Sequence, residues 1–349
     1  MKKTIIITAI LLSGLTTSAT EIYKSQNLND MEAKHTLQKN TESTIDHSLK
    51  NTDTNVQKVH FQSDGLTLVG HLYTPDNFDQ SKKYPAVITG GSLTSVKEQM
   101  AGTYARKLAE QGFVALAFDY RNYGESEGQP RQYEDPQLKL KDLQAATTYL
   151  LALPFVDHVG ALGVCTSGGN VAYLAAEDDR IKAVATVAAW LPDENTLPLL
   201  YGSQENLDEL RRKGQEAKKK FASTGETDII LAYHNEDQSA SHVGPMEYYM
   251  DNNRGGGVAE WKNELAVMSW EAWLDFDPMS KAKNITIPFM MVHSDGSALP
   301  DNAKSFYNDL QGEKELVWSD GYHFDYYDQP AQVNAAVEKV STFFADKLK

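Results

Sequence analysis

Two alternating runs open the patterned part of the chain. Residues 56–62 and 66–73 place apolar and polar side chains in turn, and Ser63, Asp64 and Gly65 separate them. A period of two broken by turn residues predicts a β-hairpin with one buried face. From Pro85 the pattern changes. Short apolar runs at 86–89, 113–118, 159–164 and 181–188 alternate with stretches of helical period at 99–111, at 138–151 and from Ser167 onward. Apolar strands separated by helices predict a mostly parallel sheet flanked by helices on both faces. The alternation stops at Trp190. It resumes with a strand at 287–292, a helix from Asp301, a short strand at 315–318 and a last helix from Pro330. The interval of about 190–285 is read as a mostly helical lid insertion carrying Trp261, Trp270, Trp273, Tyr248 and Tyr249.

Ahead of the hairpin the chain has a different character. Lys2 and Lys3 precede an apolar run from Thr4 to Leu15, and the small residues Thr17 and Ala19 are spaced like a signal-peptidase site. Residues 1–19 are therefore expected to be a signal peptide and the protein to be exported, periplasmic or secreted. Residues 20–55, rich in Asn, Thr, Ser, Lys and Glu, read as a polar spacer with no sustained period, and 56–349 as one domain. The apolar run is too short to span a bilayer, so no membrane anchor is expected.

Charge narrows the partners. The formal net charge of −15 becomes −17 once Lys2 and Lys3 are removed, and such a surface repels nucleic acid and anionic lipid. The basic groups Arg211 to Lys213 and Lys218 to Lys220 lie in a polar helical stretch and read as a solvated face. One cysteine forms no intramolecular disulfide, and a lone thiol in an exported protein is open to oxidation. Its presence asks for a reason.

Ligands of an open α/β sheet bind outside the carboxyl ends of the strands. After the run at 159–164 comes GVCTSGG, from Gly163 to Gly169. It resembles the nucleophile elbow of α/β-hydrolases, where small residues flank the nucleophile in a sharp strand-to-helix turn. Two registers exist, with Cys165 or with Ser167 as nucleophile, and Cys165 is preferred because Gly163 then follows the strand directly. A helix N-terminus favours thiolate, so a depressed thiol pKa is expected there. Of nine histidines, His323 in GYHFDYYD falls after the last short strand, where a general base belongs. His60, His71 and His242 read as strand or lid residues, and His293 ends a strand beside the site.

The orienting carboxylate is less regular. In the α/β-hydrolases that the elbow resembles, an acid often falls three residues before the proline of this loop; in SDGSALP Ser297 occupies that slot, so Asp295 is the first choice, with Asp193 and Asp301 as alternatives. Oxyanion donors are expected from the backbone N–H of Thr166 and of Leu93, with Ser92 close behind, in the loop GGSLTSVKEQ.

The strings SVKEQM, LAEQGFVALAFDYRNYGESEGQPR, YEDP, GVCTSGG, VHSDGSALP and GYHFDYYD follow one another in this order. In this the chain from Val56 onward resembles the dienelactone-hydrolase-like branch of the α/β-hydrolases, whose relatives are often labelled X-prolyl-peptidase-like. The resemblance implies the α/β-hydrolase fold and a Cys-His-Asp hydrolase or a related acyl transferase. Arg121, Glu125, Arg131, Glu134 and Asp135 fall in the family-like strings, and a structural ion-pair network is the preferred reading over substrate contact. The expected reaction is cleavage of an ester or thioester of a small-molecule acyl substrate, with no metal or organic cofactor. The rivals are acyl transfer, peptidase action and a non-catalytic binding protein. Substrate and oligomeric state stay open, because one fold hosts many activities.

Overall fold

The computed structural model describes residues 55–349, so the expected leader and nearly all of the spacer lie outside the described residues. Strands β1 (Val56–Ser63) and β2 (Leu66–Tyr73) form the hairpin, with Asp64 and Gly65 both at positive φ in its turn. Strands β3 (Tyr84–Gly90), β4 (Val114–Phe118), β5 (Val156–Val164), β6 (Ile181–Val187), β7 (Phe289–His293) and β8 (Lys314–Trp318) complete one sheet in the order β1-β2-β4-β3-β5-β6-β7-β8. Within this sheet only the pairings made by β2 are antiparallel; from β4 to β8 every pairing is parallel.

The flanking helices are α1 (Met100–Glu110), α2 (Pro136–Ala152) and α3 (Thr166–Glu177), then α4 (Gln204–Thr224) and α5 (Ser269–Leu274) in the insertion. After β7 come α6 (Pro300–Asp309), the single turn α7 (Asp325–Asp328) and α8 (Pro330–Lys347). Central strands are buried along their whole length, as at β4, where every residue of VALAF is buried. That is why their sequence runs apolar without alternation. Helix α2 starts earlier than its periodicity suggests, because Asp135 accepts from the N–H groups of Gln137 and Leu138 and Pro136 sits in its first turn.

The insertion between β6 and β7 is less helical than its composition suggests. It has the long helix α4, but Asn252, Asn253 and the Gly255–Gly257 turn interrupt the rest. Its aromatic residues are held by packing rather than by helical faces, with the Tyr233 and Tyr249 rings stacked 3.7 Å apart at 4°. Strand order reverses between β3 and β5, and this opens the crevice above β3 and β5. Among the described residues no helix is long and apolar enough to cross a membrane.

Candidate active site

Strand β5 ends at Val164 and helix α3 starts at Thr166, so a single residue makes the turn. Cys165 takes it at φ 55°, ψ −120°, a conformation that L side chains rarely adopt. The turn is possible because Gly163 is bare: a Cβ there would collide with the backbone of Ser167. Gly90 does the same from β3, where a Cβ would sit 2.6 Å from Ser167 Oγ. Ser167 is fully buried under the turn, its hydroxyl 3.2 Å from that of Tyr120. Of the two residues weighed as nucleophile, Cys165 stands at the apex and Ser167 at the base.

Burial pushes the Cys165 thiol up from its ordinary value, and this outweighs hydrogen bonds from Tyr327, from the hydroxyl and N–H of Thr166 and from the N–H of Leu93. The expectation of a depressed pKa at the helix N-terminus is corrected accordingly: Cys165 is 8 % exposed, and desolvation beats the helix end. The two backbone donors expected for an oxyanion do converge on the sulfur. The Leu93 N–H also donates to Thr166 Oγ1 at 3.1 Å, which ties the loop after β3 to the head of α3.

His323 lies in the loop after β8, but its Nε2 is paired with the hydroxyl of Tyr327, at 3.0 Å. That hydroxyl in turn reaches the Cys165 sulfur. Tyr327 thus stands between the thiol and the imidazole. Sequence reasoning missed it; the available signal was its place four residues after His323, one helical turn away. Tyr249 and Tyr233 also face Cys165. The Tyr249 hydroxyl is paired with Ser92 Oγ, and Tyr233 donates to the carbonyl of Leu93 at 2.8 Å. Burial, with a smaller contribution from nearby His293, pushes the His323 imidazole down to about 3, so it is neutral at rest.

Among the described residues no carboxylate meets His323. Its Nδ1 accepts the backbone N–H of Ala298, at 3.2 Å. Asp295 is 78 % exposed and pairs with Lys304 at 3.3 Å. Asp301 is 96 % exposed in the first turn of α6, and Asp193 closes a local turn by accepting from Asn195 and Thr196. The choice of Asp295 as orienting acid is therefore corrected by the path of its loop: Gly296 packs 2.5 Å (for a Cβ built on it) from the Gly321 carbonyl, and Asp295 is turned outward. Ser297 is buried with its hydroxyl 2.8 Å from that of Ser294.

The family-like charges serve the frame. Arg121 pairs with Asp142, Glu125 with Lys58 and Lys97, and Glu134 with Lys139 and the Tyr123 hydroxyl. Arg131 donates to the carbonyls of Gly124 and Ser126, and Asp135 caps α2. The insertion is fastened over the crevice: Trp261 Nε1 donates to Thr94 Oγ1 at 3.3 Å, Gln99 Nε2 to the Gly255 carbonyl at 2.9 Å, and Arg254 pairs with Asp328 at 2.6 Å. Among the described residues no group of three or more His, Cys, Asp or Glu converges as a metal site.

A family model for the alpha/beta hydrolase fold matches residues 87–330. The chain is 31 % identical over 300 residues to the uncharacterized protein YcjY of Escherichia coli strain K12, covering 81 % of this chain and 95 % of that one. It is 27 % identical over 271 residues to a thiohydrolase of Eupenicillium brefeldianum, covering 74 % of this chain and 83 % of that one. The crystal structure of the hypothetical protein PA2218 of Pseudomonas aeruginosa superposes with a TM-score of 0.74 at 27 % identity, covering 88 % of this chain and 98 % of that one.

Proposed function

The chain belongs to the α/β-hydrolase family and is a hydrolase, and from that premise we propose that it cleaves an ester or thioester through an acyl intermediate on Cys165. The observation that carries the reading is the turn itself: the strained apex residue is a thiol with two backbone N–H groups, of Leu93 and Thr166, directed at it. The thiohydrolase name of a relative supports the same bond class.

In the forward step the sulfur bonds to the acyl carbon as the thiol proton passes to the Tyr327 oxygen and the Tyr327 proton passes to His323 Nε2. The oxyanion that forms is stabilised by the Leu93 and Thr166 donors. Collapse breaks the bond to the leaving oxygen or sulfur, which recovers the proton by the same route. Water then releases the acid from Cys165. Nε2 accepts a proton only when the ring proton sits on Nδ1, so the Ala298 N–H has to leave Nδ1 during the cycle.

Acyl transfer to an alcohol or amine is the second reading, favoured by the burial of Cys165, which limits access of water. The leader assigned to residues 1–19 makes export part of the proposal, checked by the N-terminal residue of the mature protein. The deciding experiment is a panel of chromogenic esters and thioesters with and without an added alcohol, on the native protein and on Cys165→Ala. Hydrolysis that survives in Cys165→Ala overturns the reading; products formed only with the alcohol favour the transferase.

A further inference from the structure

Ala298 is bonded by a histidine at each end of its backbone. Its carbonyl accepts from His293 Nε2 at 3.1 Å, and its N–H donates to His323 Nδ1 at 3.2 Å. A carbonyl only accepts, so the His293 proton is on Nε2; a backbone N–H only donates, so His323 Nδ1 is bare and its proton is on Nε2 as well. His293 is fully buried at the end of β7, with its ring 5.4 Å from that of Trp318 and its Nδ1 without a partner.

The loop between the two histidines is pinned in register. Ser294 Oγ donates to the Gly321 carbonyl at 2.7 Å, and the His323 N–H donates to the Gly296 carbonyl at 3.0 Å. These bonds fix residues 294–296. Beyond Ser297, whose N–H returns to Ser294, the chain passes through Ala298 to Leu299 at φ 53°, and the bond from His293 is what sets the direction of the Ala298 carbonyl.

We propose that His293 is a positioning residue that acts through Ala298 to hold His323 in the tautomer with its proton on Nε2, so that Cys165 rests as an unreactive thiol. In a triad a carboxylate accepts from Nδ1–H and leaves Nε2 free to take a proton. Here the same position holds a donor, which enforces the opposite tautomer and disfavours the imidazolium. The Nδ1 partner of His323 is thus a restraint on the base. The consequence for Cys165 rests on the acyl-enzyme reading above; the tautomer itself does not.

The test is long-range proton–nitrogen NMR of the full chain labelled in histidine nitrogen, without substrate, together with the rate of Cys165 alkylation by iodoacetamide at pH 7. The native protein is expected to show His323 protonated on Nε2. His293→Phe keeps a ring against Trp318 and removes an unsatisfied buried nitrogen, so it is expected to fold. It should shift His323 toward Nδ1–H and raise alkylation roughly ten-fold, the order of one lost hydrogen bond. His293→Gln, whose amide N–H replaces Nε2–H, should restore the native tautomer and rate. A native His323 protonated on Nδ1 overturns the proposal without any variant, and so does a folded His293→Phe or His293→Gln whose tautomer and alkylation contradict these expectations. Cys165→Ala kinetics decides the acyl-enzyme reading separately.

Discussion

The Tyr327 hydroxyl lies 3.0 Å from His323 Nε2 and also faces the Cys165 sulfur, so in the proposed acyl-enzyme mechanism the proton path between thiol and imidazole runs through a phenol. Tyr327→Phe removes that link while keeping the ring packed on Tyr248 and Phe324. Turnover is expected to fall on the order of 10²-fold or more, the usual scale of a lost proton-transfer group. KM should change little. Steady-state kinetics with a fixed thioester checks both numbers.

The three candidate acids are expected to be dispensable. Asp193→Asn, Asp295→Asn and Asp301→Asn should each leave turnover within roughly ten-fold, against the ~10⁴ that an orienting carboxylate is worth in a triad. A thousand-fold loss in any of them identifies a carboxylate that reaches His323 in the working enzyme.

Cys165→Ala and Ser167→Ala separate the apex of the turn from its base. The first is expected to lower turnover on the order of a million-fold with an unchanged melting curve. The second removes a buried hydroxyl that contacts Tyr120, and should cost about 1 kcal/mol of stability while activity persists. Because burial raises the thiol pKa, alkylation of native Cys165 should reach its midpoint above that of free cysteine. A pH series with iodoacetamide reads this directly.

Buried neutral histidines make the fold acid-sensitive. Burial pushes His242 and His293 down to about 4 and His323 to about 3, against 6.5 in the unfolded chain. Between these values the unfolded chain binds more protons, so their contribution is complete above pH 6.5 and is lost as pH falls toward 4. Each histidine costs up to about 1.4 kcal/mol per pH unit in that window. Urea midpoints measured from pH 7 down to 4 should fall, and His242→Phe should flatten the slope.

Lys97 is fully buried among Asp119, Glu98 and Glu125, at 2.9, 2.7 and 2.8 Å. Lys97→Met leaves these carboxylates without their cation and is expected to destabilise by about 3–5 kcal/mol. Thermal or urea melts check this. The burial of Asp119, which is fully enclosed, makes the cost of an unpaired carboxylate high.

The order of strands and helices was legible because buried parallel strands must run apolar and their helices must not. The elbow was legible because the close approach of β5 and α3 demands Gly163 and a small residue at Ser167, whereas the limit that the same turn sets on Gly90 of β3 shows only in the fold. Thr166 followed from the position of the elbow, and Leu93, with Ser92 close behind, from the loop after β3. Tyr327 went unread although it lies four residues after His323: α7 is a single turn, too short for a period to single it out, and one tyrosine in FDYYD looks like the next. Asp295 was misread because the contact of Gly296 with the Gly321 carbonyl, which turns that loop outward, joins residues 25 apart in sequence. The thiol pKa was misjudged because helix position can be read from a string, while the tyrosines that desolvate Cys165 come from the insertion and from α7.

The bonds from Trp261 to Thr94, from Tyr233 to Leu93 and from Gln99 to Gly255 join the insertion to the same loop that presents the Leu93 donor. On the proposed mechanism, selectivity and rate are consequently not separable modules. Exchanging the insertion for that of a relative would also displace the Leu93 N–H, the proposed oxyanion donor, so on that mechanism chimeras should lose turnover even on substrates both parents accept, and a change of acyl group is expected to proceed by substitutions that leave those three anchors in place.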